Sequence, residues 1–141
     1  MAIHTAHTDA DILACWPVMH ALRPHLHEHE FLPLIRKMME GGYVLAYVEE
    51  EGQPVAAAGY RYLHKLYDGW QIYIDDLSTL PEHRGKGHAS LLLEHVRREA
   101  EQAGCTCVTL DSGPSRHDAH RLYLNKGYRM TSTHFTQALT S

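Results

Sequence analysis

Two short segments of the sequence contain residue types that suit chemistry, and the first is "RGKGHAS", from Arg84 to Ser90. It places two glycines and two cations directly before residues with helical periodicity. The first N–H groups of a helix lack internal partners and the helix dipole adds partial positive charge, so a helix start favours an anion. Glycine lets the backbone approach such an anion closely. The segment therefore predicts a phosphate-binding loop, and the alternative is a tight connection whose cations only add solubility.

The second segment is the adjacent pair Asp75 and Asp76, inside the apolar and aromatic stretch "WQIYIDDLST". A carboxylate in the middle of a strand carries a desolvation cost that usually has a functional reason. Alternation along a strand predicts that the two side chains point to opposite faces. Either carboxylate is able to take a proton in a reaction. The alternative is that one of them bonds local backbone at a bulge in the strand.

The elements around these segments predict one α/β domain over residues 1–141. Helical spacing predicts one helix from Thr8 or Asp9 with Ile12, Leu13, Trp16 and Met19 on its apolar face, a second from Glu30 with Phe31, Leu34, Ile35, Met38 and Met39, and two more over about 89–103 and 116–125. Strand patterns cover 3–6, 43–50, 54–64, 69–79, 105–112 and 128–139. The middle strands indicate an antiparallel meander. The strand, helix and strand that follow should place their two strands parallel.

Composition excludes several classes of partner. The formal net charge of −4 offers no basic field to a nucleic acid. No apolar run reaches the length of a membrane span, and the first residues lack the basic flank and apolar core of a signal peptide. The cysteines Cys15, Cys105 and Cys107 lie inside apolar patterns, which is typical of reduced thiols. We therefore expect a cytoplasmic protein without nucleic-acid or membrane partners.

The sequence has 13 histidines, and the segment "HLHEHE" at 25–30 raises the question of a metal site. On a helix, His25 and His29 would share a face at the spacing that ligand pairs use. No third or fourth ligand lies at a suitable spacing, and acidic residues interrupt the run. We interpret the segment as solvated surface and expect no metal.

Three known phosphate-binding sequence patterns match the loop to different extents. A P-loop requires Gly-Lys-Ser/Thr, which Gly85-Lys86-Gly87 does not provide. A dinucleotide-binding turn is matched in part by Gly85, Gly87 and Ser90, with Asp111 after the next strand as the ribose ligand. That pattern lacks its third glycine, and only one strand–helix–strand unit is present, so it stays open only as an alternative.

The third pattern is Arg/Gln-x-x-Gly-x-Gly/Ala, which the residues from Arg84 to Ala89 match. The segment "AHRLYLNKGY" at 119–128 fits a second motif, A-x-x-(L/F)-Y-x-x-x-G-(F/Y), at a typical interval. On these two motifs, the chain resembles the GNAT superfamily of acetyl-CoA-dependent N-acetyltransferases over about residues 43–138. The resemblance implies an α/β (α+β type) GNAT fold, with a mixed, mostly antiparallel twisted sheet of about six to seven strands and about four helices.

The resemblance also implies roles for individual residues. Tyr123 matches the family tyrosine that protonates the leaving thiolate, Asp75 is the expected base, and Asp76 is expected to bind substrate or support the base. Arg116 stands where relatives often have an asparagine that contacts the coenzyme. His120 and His134 are candidate pocket residues. The residues expected to bind acetyl-CoA are Leu77, Ser78, Thr79, Arg84, Gly85, Lys86, Gly87, His88, Ala89, Ser90 and Arg116.

The function that the resemblance implies is transfer of an acetyl group from acetyl-CoA to a primary amine of a small molecule or peptide. The amine would attack directly, with Asp75 or an ordered water as base and no metal cofactor. A non-catalytic acyl-CoA-binding module is the alternative. The acceptor has no readable code in the sequence, and pairing of two copies into a homodimer is a further expectation from the family.

Overall fold

The computed structural model describes residues 2–140, and its contacts separate two compact units between Leu110 and Asp111. The first unit contains a five-stranded sheet in the order β1 (Ile3–Thr5), β2 (Tyr43–Glu50), β3 (Gln53–Lys65), β4 (Gly69–Thr79) and β5 (Cys107–Leu110). Strands β1 to β4 pair antiparallel, and β5 pairs parallel to β4. The predicted mixed, mostly antiparallel sheet is confirmed. Within 2–140, no helix combines the length and apolar character that crossing a membrane demands.

The first predicted helix is divided in two. Helix α1 (Asp9–Ala14) begins with a capping box, in which Thr8 accepts from the Asp11 N–H at 3.1 Å and Asp11 accepts from the Thr8 N–H at 3.2 Å. Helix α2 (Trp16–Leu22) starts anew because Pro17, in its first turn, has no N–H to continue the hydrogen-bond ladder of α1. The prediction of one continuous helix is therefore wrong.

Helix α3 (Glu28–Glu40) follows and joins α1 and α2 on one face of the sheet. Side chains from the three helices form a core with side chains of β2 and β3, namely Ile12, Cys15, Val18, Met19, Phe31, Ile35, Tyr43, Leu45, Tyr47 and Ala57. The division between α1 and α2 turns Leu13 outward, and Leu34 is exposed as well. The prediction that these two leucines lie on the apolar, buried faces of their helices is wrong.

Helix α4 (His88–Gln102) packs against β3 and β4 and connects β4 to β5, as the sequence predicts. Its stripe of Leu92, Leu93 and Val96 is almost completely buried. Burial of each such side chain contributes about 1.5–3 kcal/mol. The helix ends before Gly104, whose φ of 74° is the left-handed conformation that glycine adopts readily. This packing fixes the position of the helix start, where the predicted phosphate loop lies.

Gly59 of β3 allows a close approach by the Tyr43 side chain. A Cβ at Gly59 would lie 1.7 Å from the Tyr43 hydroxyl oxygen, so the ring occupies the space that a side chain would need. We expect Gly59→Ala to lower the free energy of unfolding by about 3 kcal/mol, the upper part of the range for overpacking. Denaturant unfolding measures the change. Gly41→Ala is the control, because its Cβ would meet only the Met38 carbonyl oxygen at 3.5 Å. Equal stability of the two variants would contradict the expectation.

The second unit contains helix α5 (His117–Asn125), close to its predicted bounds. The predicted last strand over 128–139 is wrong, because the described residues from 128 to 140 form no strand. A strand needs a neighbour for its backbone groups, and the described residues of the second unit contain no other strand that could provide one. Its apolar side chains Met130, Phe135 and Leu139 are exposed. The described chain therefore has five strands and five α-helices, compared with the expected six to seven and about four.

Candidate active site

Strands β4 and β5 pair over only part of the length of β4. Residues 71–74 of β4 pair with 107–110 of β5, and no ladder with β5 follows Ile74 in the described part of the chain. Strand β4 continues to Thr79, paired there with β3. In the first unit, the last five residues of β4 thus lie beyond its pairing with β5.

The orientation of the backbone along this part of β4 follows from one hydrogen bond. The Leu80 N–H donates to the Val55 carbonyl at 2.9 Å, which places the polar groups of Leu80 toward β3. Because backbone groups alternate along a strand, those of Ser78 also face β3, whereas those of Leu77 and Thr79 point to the opposite edge. The Thr79 carbonyl is consistent with this, since it accepts from Arg84 Nε at 3.3 Å.

Ser78 differs in role from its neighbours. It is buried, and its hydroxyl donates to the Val18 carbonyl at 2.9 Å. The side chain therefore connects β4 to α2, and the backbone of Ser78 bonds β3. Three strand residues are predicted to bind the coenzyme. Of these, Leu77 and Thr79 direct their backbone groups to the edge of β4 opposite β3, in the part of β4 that β5 does not reach.

The loop after β4 brings the predicted anion-binding groups together. Gly85 and Gly87 have φ of 78° and 87°, and a Cβ on either would meet no atom within 4 Å. No side chain caps α4 at Gly87, and its first intrahelical bond runs from the Leu91 N–H to the Gly87 carbonyl. The N–H groups of His88, Ala89 and Ser90 consequently lack intrahelical partners. The segment is a suitable receptor for a diphosphate.

Lys86, one of the two cations of the loop, is held by a residue of another strand. Lys86 Nζ lies 3.4 Å from a carboxylate oxygen of Glu50, at the end of β2, and His83 contacts the same carboxylate. Partial desolvation opposes ionisation of Glu50, but its hydrogen bonds from Lys86 and His83 outweigh that effect and lower its pKa. His88 is buried, and its ring nitrogens have no hydrogen-bond partner. We infer that the backbone of His88, rather than its ring, is available to an anion.

Asp75 and Asp76 belong to a network of five polar side chains. Arg61 donates from Nε and Nη2 to the two oxygens of Asp75, each at 2.8 Å. Arg23 donates from Nε at 3.1 Å and Nη2 at 3.0 Å to Oδ1 of Asp76. The Tyr43 hydroxyl donates to Oδ2 of Asp76 at 2.8 Å. Sequence reasoning missed Arg23, Tyr43 and Arg61, because their distances from the acids in the sequence, 14 to 53 residues, give no local signal.

A β-bulge explains how one network holds both acids. The β3–β4 register shifts between Gly59, paired with Asp76, and Tyr60, paired with Ile74, so Asp75 is the extra residue. Gly59 and Arg61 are two residues apart and face the same side of β3. Since Arg61 binds Asp75, both carboxylates lie on the face that carries α1 to α3. The predicted opposite orientation is therefore wrong, because a bulge interrupts the alternation.

The second unit contains the other predicted site residues. Tyr123 is buried on α5, and burial raises its pKa against the opposing effect of the Arg116 charge. Arg116 is the exposed N-cap residue of α5. His134 is exposed and forms an ion-pair contact with Asp111 at 3.2 Å, and His120 is partly buried.

The histidine segment and the cysteines form no obvious chemical centre. His25 precedes α3, which begins at Glu28, so His25 and His29 do not share a helix. Within 2–140, no three His, Cys, Asp or Glu side chains group as metal ligands do. Cys15, Cys105 and Cys107 are free thiols. Burial raises the pKa of Cys15 to about 12, which disfavours the nucleophilic thiolate.

Comparison with known proteins gives relatives of one kind. Aminoalkylphosphonate N-acetyltransferase of Salmonella typhimurium (strain LT2) is 40% identical over 76 residues, which are 54% of this chain and 49% of that protein. The match thus spans about half the length of that relative. N-acetyltransferase YhdJ of Bacillus subtilis (strain 168) is 31% identical over 112 residues, 79% of each chain. The ribosomal-protein-alanine N-acetyltransferase structure from Brucella melitensis covers 98% of this chain and 100% of its own, with a TM-score of 0.82 at 16% identity.

In this chain a glycine loop without a side-chain cap follows β4 and begins α4, which leads to β5, the strand that pairs parallel to β4. The acetyltransferase (GNAT) family model matches residues 10–128. The chain belongs to the acetyltransferase (GNAT) family, which uses acetyl-CoA as its acetyl donor. The resemblance, the fold class and the enzyme class predicted from the sequence are thereby confirmed.

Proposed function

We propose that the protein transfers the acetyl group of acetyl-CoA to the primary amine of a small molecule, and that the residues described above perform this transfer. The observation that carries the proposal is the uncapped start of α4. It follows the part of β4 that extends beyond its pairing with β5. A diphosphate fits the N–H groups of 88–90, and an amide-containing arm fits the edge formed by Leu77 and Thr79.

The backbone groups of Leu77 and Thr79 hold the arm of the donor in register, much as an added strand would. From Thr79 to Asp75 the strand rises about 3.3 Å per residue. The arm is therefore directed from the phosphate loop toward the carboxylates. This orientation supports a thioester near Asp75, where an attacking amine would also find its base.

Asp75 is the better candidate for that base. A carboxylate has about four lone-pair positions. Asp76 receives two donors from Arg23 and one from Tyr43, whereas Asp75 receives only two donors from Arg61. Asp75 thus keeps more capacity to accept the ammonium proton, directly or through a water molecule. Asp76 is better suited to holding Arg23 in place.

The proton balance of the reaction assigns a role to Tyr123. The ammonium group loses one proton before its nitrogen attacks the thioester carbonyl, and the new amide nitrogen loses a second one as the C–S bond breaks. The departing thiolate requires one proton, which the Tyr123 hydroxyl supplies and regains from solvent. The raised pKa of Tyr123 keeps that proton in place at neutral pH. The motif at 119–128 supports this assignment.

Asp75→Asn is expected to lower kcat/KM for the amine about 100-fold at neutral pH, in line with the loss of a general base. The loss should shrink as the pH rises, because free amine then becomes available without the base. The measurement is the pH profile of thiol release, with Asp76→Asn as the comparison variant. A profile that both variants leave unchanged would instead favour proton transfer to water alone.

The experiment for the function as a whole is thiol release from acetyl-CoA with a panel of small amines, beside calorimetric titration with coenzyme A. Turnover with at least one amine supports the proposal. Coenzyme binding without turnover would favour the alternative, a non-catalytic acyl-CoA-binding module. Stabilisation by NAD and none by coenzyme A would favour the dinucleotide alternative.

The name of the Salmonella relative supports a small acceptor, and the three free thiols are consistent with a cytoplasmic location.

A further inference from the structure

The two arginines of the carboxylate network are more exposed than the acids that they bind. The side chains of Arg23 and Arg61 are 43% and 42% exposed, whereas those of Asp76 and Asp75 are 13% and 20% exposed. The four charges sum to zero, but their depths differ. The acids lie toward the sheet and the guanidinium groups toward solvent. A ligand that approaches from solvent therefore meets positive charge first.

Each arginine also keeps donor capacity. Both bind the acids through Nε and Nη2. Arg23 Nη2 donates in addition to the Asp75 carbonyl at 3.1 Å. The hydrogen bonds described for the two arginines within residues 2–140 use Nε and Nη2, and none of them uses Nη1. A guanidinium group has five N–H donors in a planar fork, which suits the oxygens of a carboxylate or phosphonate.

The network holds both guanidinium groups in place before a ligand arrives. Arg61 has a two-point contact with Asp75, and its guanidinium carbon lies 5.6 Å from the centre of the Tyr73 ring. Arg23 is fixed by Asp76, which Tyr43 holds in turn. Ordering a mobile arginine side chain when a ligand binds opposes binding. In this protein the two side chains are already ordered by folding, so the ligand does not have to order them. Such an arrangement is pre-organised for an anion.

From these contacts we propose that the acceptor is a short-chain amine that carries an anionic group, and that Nη1 of Arg23 and of Arg61 binds that group. The inference rests on the proposed acetyl transfer and names its substrate class. Asp75 directly follows Ile74, the last β4 residue paired with β5, so the subsite begins where the free edge of β4 begins. The ammonium group then faces Asp75, and the anionic group faces the arginines. The two groups of the ligand are therefore separated by only a few carbon atoms.

The test compares amines of similar length with and without an anionic group. The anionic set is β-alanine, taurine and 2-aminoethylphosphonate, and the other set is propylamine, ethanolamine and 1,3-diaminopropane. We expect at least one anionic amine to exceed every member of the other set about tenfold or more in kcat/KM, as for a hydrogen bond to a charged group. The quantity compared is the kcat/KM of an anionic amine divided by that of an amine without the anionic group. A change in the chemical step affects both values equally and therefore cancels in this ratio.

Arg23→Gln and Arg61→Gln should each reduce this ratio about tenfold. Arg36→Gln is the matched control, because Arg36 donates from Nε and Nη2 to Asp9 and is also 43% exposed, but lies on α3 outside the network. Its ratio should equal that of the unchanged protein. Calorimetric titration with 2-aminoethylphosphonate and with propylamine, in the absence of coenzyme, gives a second reading that needs no turnover.

Equal kcat/KM for both sets, or a ratio that the two network variants leave unchanged, would overturn the anion subsite while acetyl transfer stands. Failure of all three anionic amines to bind in calorimetry would overturn it as well, whether or not turnover occurs. Failure of the proposed acetyl transfer gives a different result, in which no amine of either set releases thiol, whether or not coenzyme A binds. Preferential binding of the phosphonate, lost in Arg61→Gln and kept in Arg36→Gln, supports the subsite.

Discussion

Gly87→Val is expected to raise the KM for acetyl-CoA roughly 100-fold, as the loss of two hydrogen bonds to a charged group would. Gly87 caps α4 with a φ of 87°, which a β-branched residue adopts only under strain. The valine side chain would also project into open space that a phosphate requires, because a Cβ there meets no protein atom. Steady-state kinetics at varied acetyl-CoA measures the change, and kcat at saturation should fall much less.

Gly104→Val separates backbone strain from coenzyme binding. Gly104 follows the other end of α4, has a φ of 74°, and a Cβ there also meets nothing within 4 Å. Both variants should lose a similar free energy of unfolding, about 1–2 kcal/mol. Only Gly87→Val should weaken acetyl-CoA binding. Similar KM values in the two variants would show that the loop does not bind the diphosphate, and the donor site would have to be sought elsewhere.

Tyr123→Phe is expected to lower kcat between about 100-fold and 10,000-fold, the contribution of a positioned general acid. The ring remains, so the affinity for acetyl-CoA should change little. Because burial raises the pKa of Tyr123, its hydroxyl stays protonated through neutral and moderately alkaline pH. The rate of the unchanged protein should therefore show no loss from Tyr123 ionisation below about pH 10.

Tyr128→Phe is the matched control for this prediction. The two rings lie 5.9 Å apart between centroids, in the same unit of the chain. The family motif accepts either phenylalanine or tyrosine at this position, so removal of the Tyr128 hydroxyl should leave kcat nearly unchanged. A kcat for Tyr123→Phe that equals that of Tyr128→Phe would exclude Tyr123 as the acid.

The loop and its flanking elements could be predicted from the sequence because their signals are local. Glycines at 85 and 87, the apolar stripe of α4 and the stop at Gly104 lie within about 20 residues. Each of these local patterns has one structural meaning. The two loop glycines indicate positive φ angles, the stripe indicates a buried helix face, and Gly104 indicates a helix end. The structure forms these features where the pattern indicates them.

The carboxylate network, which we propose binds the acceptor, could not be predicted because it depends on pairing between residues distant in the sequence. Arg23 meets Asp76 across 53 positions, and Arg61 meets Asp75 only because a bulge turns that residue toward it. A bulge leaves no mark in an alternating apolar pattern. The prediction of a last strand was wrong for a related reason. The pattern at 128–139 is strand-like, but a strand forms only when another strand pairs with it.

The contact of Tyr43 with Gly59 has a consequence for engineering the enzyme. The ring of Tyr43 packs in the core beneath α1 to α3. Its hydroxyl donates to Asp76 in the carboxylate network. With the proposed anion subsite, thermostability and acceptor choice are therefore not independent traits of the first unit. Repacking that core for heat resistance would displace the hydroxyl that holds Asp76 and would change the proposed acceptor preference, although no residue proposed to contact the acceptor is replaced.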